Sequence, residues 1–319
     1  MYDKHQSVAR FVWLMTFRHP PATIKLIDSM ISRRSFARGG LCFALGVGGS
    51  RSARALAPTL PSDLARIEGA VGGRLGVAVL DSATGAQAGH RSGERFPLCS
   101  TFKLLAAAAV LSRVDAGAAR LDARVRFEER DLVTYSPVTQ HRVGGDGMSL
   151  AEICEAALTM SDNTAGNLLL AAIGGPDGLT AYARSLGDDV TRLDRIEPDL
   201  NEALPDDPRD TTTPAAMVAD LAKLLTGNAL SDASRRRLLG WLIASKTGDA
   251  RLRAGVPADW QVGDKTGSGE RGTANDVGII WPPARSPVLA AVYLTQSPQS
   301  FDQRNAVIVS VARLIAAVL

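Results

Sequence analysis

Ser100-Thr101-Phe102-Lys103 places a hydroxyl and an amine three residues apart where the apolar spacing predicts that a helix begins. Residues so spaced share one face of a helix, so the Lys103 amine can approach the Ser100 hydroxyl. The helix N-terminus favours any negative charge that develops there. These are the requirements of an activated serine nucleophile. A capped surface helix has the same pattern, and a Ser-x-x-Lys arises by chance about once in a chain of this length. Ser161-Asp162-Asn163 lies between two helical stretches and could be no more than an N-cap. Asp264-Lys265-Thr266-Gly267-Ser268-Gly269 follows strand-like residues, and a strand can present alternate side chains and edge N–H groups to a cleft. Lys246-Thr247-Gly248 repeats the order but closes a helix, where a cation followed by Gly is ordinary C-terminal punctuation. The second copy is therefore the one expected to act.

The elements that must hold these groups follow from periodicity. A first helix is expected with Pro61-Ser62-Asp63 as its cap region, then a strand over Leu75–Leu80 ending in the turn Asp81–Gly85. Trp260–Val262, Asn275–Trp281 and Val288–Thr295 read as strands, and Phe301–Val318 as a closing helix. Between them the period is helical over 102–111, 150–157, 164–173, 180–186, 214–225 and 233–243. Strands at both ends with helices between imply an α/β fold: an antiparallel sheet built from both chain ends and flanked by helices, plus an inserted all-α lobe. The expected division is a sheet lobe of residues 56–97 and 244–319 around an all-α lobe of residues 98–243, with a cleft where they meet.

The chain has 319 residues, 45% hydrophobic and 22% charged, which excludes intrinsic disorder and permits a substantial core. No apolar run approaches the roughly twenty residues of a membrane span. The net charge of +3 misleads until it is divided. Residues 1–55 hold nine Lys and Arg against two Asp, leaving 27 basic and 31 acidic residues in the remainder. A body of that balance offers no basic face for nucleic acid. The leader instead reads as an export signal. Arg33-Arg34 precedes the short apolar stretch Gly40–Val47, and Ala53-Arg54-Ala55 offers the small residues of a cleavage site. The adjacent arginines are similar to a twin-arginine signal, so a mature periplasmic chain from about Leu56 is expected, without stable membrane association and monomeric. Met30 opens a complete signal by itself and is the expected true start.

Of three cysteines, Cys42 leaves with the leader, and Cys99 and Cys154 make no disulfide framework. Only His90 and His141 lie beyond the leader, and no ligand-spaced pair occurs, so neither metal nor cofactor is expected.

Taken in order, Ser100-Thr101-Phe102-Lys103, Ser161-Asp162-Asn163, Glu197-Pro198-Asp199-Leu200-Asn201 and Lys265-Thr266-Gly267 resemble the motif set of a class A serine β-lactamase. The resemblance runs over essentially all of Leu56–Leu319 and implies that family's sheet domain plus all-α domain. It implies Ser100 as nucleophile, and Lys103 or Glu197 through a water as the acylation base. Ser161 would pass a proton to the departing ring nitrogen, and the N–H groups of Ser100 and Ser268 would form an oxyanion hole. Lys265, Thr266, Ser268 and Arg251 would hold the substrate carboxylate, and Asn163 its amide side chain. Tyr135 would wall the cleft, although core filling would equally suit an aromatic there. Glu197 with Asn201 would ready the water that releases the acyl-enzyme. A cis peptide before Pro198 and a loop pinned by Arg195 and Asp210 are also implied. Penicillin-binding peptidases and transpeptidases share the nucleophile motif but lack the Glu197–Asn201 pair, and a non-catalytic penicillin sensor would acylate at Ser100, release nothing and normally be attached to a membrane segment. The chain departs from some relatives at its thiols: Cys99 faces Gly269 and Cys154 faces Ala107, so neither bridge known in the family can form.

Overall fold

The structure, a computed structural model, describes Leu56 and residues 58–319. The expected signal, its cleavage at Ala55 and the start at Met30 lie outside the described residues.

Five strands form one antiparallel sheet: β1 (Arg74–Asp81), β2 (Gln87–His90), β3 (Gln261–Gly269), β4 (Thr273–Trp281) and β5 (Val288–Thr295). Their spatial order is β2-β1-β5-β4-β3, so the first long strand and the last pair directly, from Arg74 opposite Thr295 to Asp81 opposite Val288. Side chains alternate between two cores. Leu75, Val77, Val79, Val292 and Leu294 point to α1 (Leu60–Val71) and the closing helix α8 (Phe301–Ala317). Ala78, Val277, Leu289, Ala291 and Tyr293 point to the larger core. There they meet α2 (Phe102–Asp115), α3 (Leu150–Thr159), α4 (Asn163–Ile173), α5 (Gly175–Ser185), α6 (Pro214–Leu221) and α7 (Asp232–Ile243). Residues Phe102 to Leu111 of α2 are all buried, so this helix is hydrophobic all round and runs through the interior.

Three differences from the sequence reading concern local signals. Helix α1 begins at Leu60 with Thr59 as its N-cap and Pro61 inside the first turn, where its missing N–H costs nothing. Strand β2 was not expected, because Gln87-Ala88-Gly89-His90 carries no apolar alternation and earns its place by pairing with β1. Helix α6 passes into a π-turn over Ala222–Thr226 rather than running regularly to Leu225.

Candidate active site

The nucleophile candidate sits on a short 3-10 turn, Cys99–Thr101, that leads into α2. Ser100 is buried, its hydroxyl aimed at the cleft. Lys103 Nζ donates to Ser100 Oγ at 2.8 Å, to the Ser161 carbonyl at 2.9 Å and to Asn163 Oδ1 at 2.6 Å. It also lies 2.9 Å from Glu197 Oε1. Burial pushes the Lys103 ammonium below the ordinary lysine range, and the Glu197 carboxylate opposes this. Room for the lysine comes from Gly166 of α4, where a Cβ would stand 2.6 Å from Lys103 Cε.

The Ser161-Asp162-Asn163 triplet divides its labour. Ser161 adopts a left-handed φ of 58°, a strained conformation between α3 and α4 that brings its hydroxyl 2.9 Å from Lys265 Nζ. Asp162 caps α4 through the Ala165 N–H and accepts from Val138 N, Thr139 N and Thr139 Oγ1, tying down the loop that carries Tyr135. Asn163 takes a proton contact from Lys103 and spends one N–H on the Thr134 carbonyl at 2.8 Å. It therefore bridges two walls of the cleft as well as lining it. Tyr135 is 55% exposed and borders the cavity, which excludes core filling.

Strand β3 forms the opposite wall. Lys265 is fully buried, and desolvation, with the Lys103 charge second, pushes its ammonium well below the ordinary range. Thr266 Oγ1 and Thr247 Oγ1 are 2.6 Å apart, and Arg251 Nη2 donates to Ser268 Oγ at 2.7 Å. Arg251 is itself held by the carbonyls of Gly267 and Asn275 and by Asn305 Oδ1. Gly269 is required by close approach, since a Cβ there would meet Cys99 Sγ at 2.6 Å and the Asn201 carbonyl at 2.9 Å. Cys99 and Cys154 are both free and buried, and burial pushes both thiols up.

Glu197 arrives on an irregular loop. Its peptide to Pro198 is cis, and Arg195 Nε donates to Asp210 Oδ2 at 2.6 Å. Asp210 also accepts the N–H groups of Asp194 and Arg195. The result places Glu197 Oε1 3.3 Å from Ser100 Oγ and Oε2 2.5 Å from Asn201 Nδ2.

Several contributors escaped the sequence reading. Asn167 brackets Glu197, accepting its N–H at 2.8 Å and donating to its carbonyl at 3.0 Å. Its place one turn beyond Asn163 on the same helix face was a usable signal. Lys246 and Thr247, set aside as helix punctuation, both line the cavity, because the chain leaving α7 turns back along β3. Asn275 Nδ2 donates to the Pro97 and Leu98 carbonyls, fixing β4 to the segment before Ser100.

A sheet sandwiched by helices, with a buried serine in contact with both a lysine and a carboxylate, defines a serine acyl-transfer hydrolase. Residues 59–319 match the β-lactamase enzyme family, and the chain belongs to it, in the class A serine branch. It is 47% identical to β-lactamase CTX-M-8 of Citrobacter amalonaticus, over 84% of this chain and 91% of that one. It is 49% identical to β-lactamase AST-1 of Nocardia asteroides, over 79% and 81%. Among solved structures, an ancestral (GNCA) class A β-lactamase is 63% identical, with a TM-score of 0.81 over 82% of this chain and all of the other.

Proposed function

We propose that the protein hydrolyses the β-lactam ring of penicillins and cephalosporins through a serine acyl-enzyme and so protects cell-wall synthesis. Ser100 Oγ attacks the ring carbonyl while its proton passes to Lys103, or through a water to Glu197. Burial lowers the proton affinity of Lys103 while Glu197 opposes this, and Lys103 Nζ already contacts the Ser100 hydroxyl at 2.8 Å. The carbonyl oxygen, now anionic, is held by the Ser100 and Ser268 N–H groups, a contribution for which loss of one donor commonly costs about 10² to 10³ in rate. As the C–N bond breaks, Ser161 Oγ protonates the ring nitrogen and is resupplied from its contact with Lys265. Thr266, Ser268, Lys265 and Arg251 hold the substrate carboxylate, and Asn163 and Tyr135 border its amide side chain.

The observation that carries the reading is the position of Glu197. Its carboxylate lies within 3.3 Å of Ser100 Oγ beside Asn201, whose Oδ1 is buried without a protein partner. A water accepted by these two groups is aligned on the ester carbonyl, and Glu197 takes its proton as it attacks. This separates a turnover enzyme from a peptidase or sensor that stays acylated. Export through a twin-arginine signal, cleavage near Ala55, a monomeric state and work in the periplasm complete the proposal. No helix among the described residues is long and apolar enough to cross a membrane.

Purified protein given a chromogenic cephalosporin should turn over many equivalents. A single stoichiometric burst with a lasting mass adduct would refute hydrolysis. N-terminal sequencing of exported protein tests the processing site.

A further inference from the structure

Two large apolar side chains border the cleft while staying half exposed, Tyr135 at 55% and Phe301 at 53%. They belong to different ends. Tyr135 is joined by its carbonyl to the Asn163 N–H, on the side assigned to the amide group. Phe301 opens α8 and lies 5.8 Å from the Arg251 guanidinium and 6.0 Å from that of Arg304. Arg251 in turn touches Ser268, so the Phe301 ring belongs to the carboxylate end of a cavity of about 500 Å³.

The geometry points to Phe301 as a substrate contact that selects β-lactams by the group on the ring carbon next to the one bearing the carboxylate. This rests on the reading of the chain as a β-lactam hydrolase. With the carboxylate at Thr266, Ser268 and Arg251, a substituent on the adjacent carbon has to run towards the neighbouring wall, formed by Thr247, Lys246 and Phe301. Cephalosporins carry a single, variable group on this carbon, whereas penicillins carry two fixed methyl groups there. A flat aromatic substituent would cover the exposed part of the Phe301 ring, gaining apolar burial and a ring-to-ring contact. The favoured class is therefore cephalosporins with an aromatic group at this carbon.

The test compares kcat and KM for benzylpenicillin, a cephalosporin with a methyl group at this carbon and one with an aryl group there. Phe301→Ala should raise KM for the aryl compound about tenfold. The other two KM values should stay within about twofold, and Phe301→Tyr should restore the aryl preference. A Tm and a circular dichroism spectrum matching the parent's show the variant folded. An equal rise for all three substrates would overturn the inference, because the ring would then act only by seating Arg251. No change with the aryl compound would overturn it too. Failure of the unsubstituted protein to turn over benzylpenicillin would instead overturn the functional reading beneath it, and the inference with it.

Discussion

The two walls that meet at Ser100 are built by different means. The wall of Lys265, Thr266 and Ser268 is a strand hydrogen-bonded along its length to β4, from Gln261 opposite Trp281 to Gly269 opposite Thr273. The wall of Glu197 is irregular loop, held by Asp210, Arg195 and Asn167 through a few side-chain bonds. A ladder distributes its stability over many equivalent bonds, whereas the loop depends on single groups. The carboxylate-binding part of the proposed cycle thus rests on regular structure, and the releasing half on a handful of polar side chains.

Breaking the loop wall at its working group should have the largest effect. Glu197→Ala is expected to lower turnover of benzylpenicillin by about 10² to 10⁴ and leave a penicilloyl mass on Ser100. Ser100→Ala should abolish turnover and carry no mass; adducts on both would defeat the assignment. On the ladder wall, Arg251→Ala removes a charged partner from the carboxylate end. It should raise KM by about 10- to 100-fold without trapping an adduct, read by steady-state kinetics together with mass spectrometry. An accumulating adduct there would erase the distinction between the walls. A milder loop lesion, Asp210→Asn, keeps the shape but weakens the pin. It should slow deacylation about tenfold while acylation, followed by stopped flow, is spared.

The smallest expected effect lies where the loop begins. Asp220 of α6 is buried with both oxygens unpartnered, as is Asp188 Oδ2. Burial first, and the neighbouring Asp188 second, push the Asp220 carboxyl from an ordinary 3.8 up to about 8, against the opposing charges of Lys223 and Arg184. Between those values the folded protein keeps a proton that the unfolded chain has lost. The group's contribution to stability therefore falls as pH rises from about 4 to about 8 and is level above that. Asp220→Asn keeps a hydrogen-bond donor without the charge, so its Tm should exceed that of the parent by more at pH 8 than at pH 5. A constant difference would show that Asp220 does not titrate in this range.

Much of this was legible in the sequence because its signals are local. The Ser100 to Lys103 spacing needs only one helix turn, and the apolar run Val288–Thr295 matches the observed strand end to end. Cys99 with Gly269 excluded one bridge from residue types alone, and both thiols are free. The strand Gln87–His90 was not legible, because it owes its conformation to a partner. Nor was the place of Thr247, whose local context matches any helix end.

Residue identity by itself determined which groups could attack, which could release, and where most of the longer helices and strands would lie, since propensity, capping and periodicity act over a few neighbouring residues. Tertiary structure alone decided that Glu197, 97 positions along the chain from Ser100, would face it at 3.3 Å, and that Phe301 would stand beside Arg251. Those meetings depend on how buried helices and a twisted sheet close upon one another, and packing over such separations leaves no periodic trace in the order of residues.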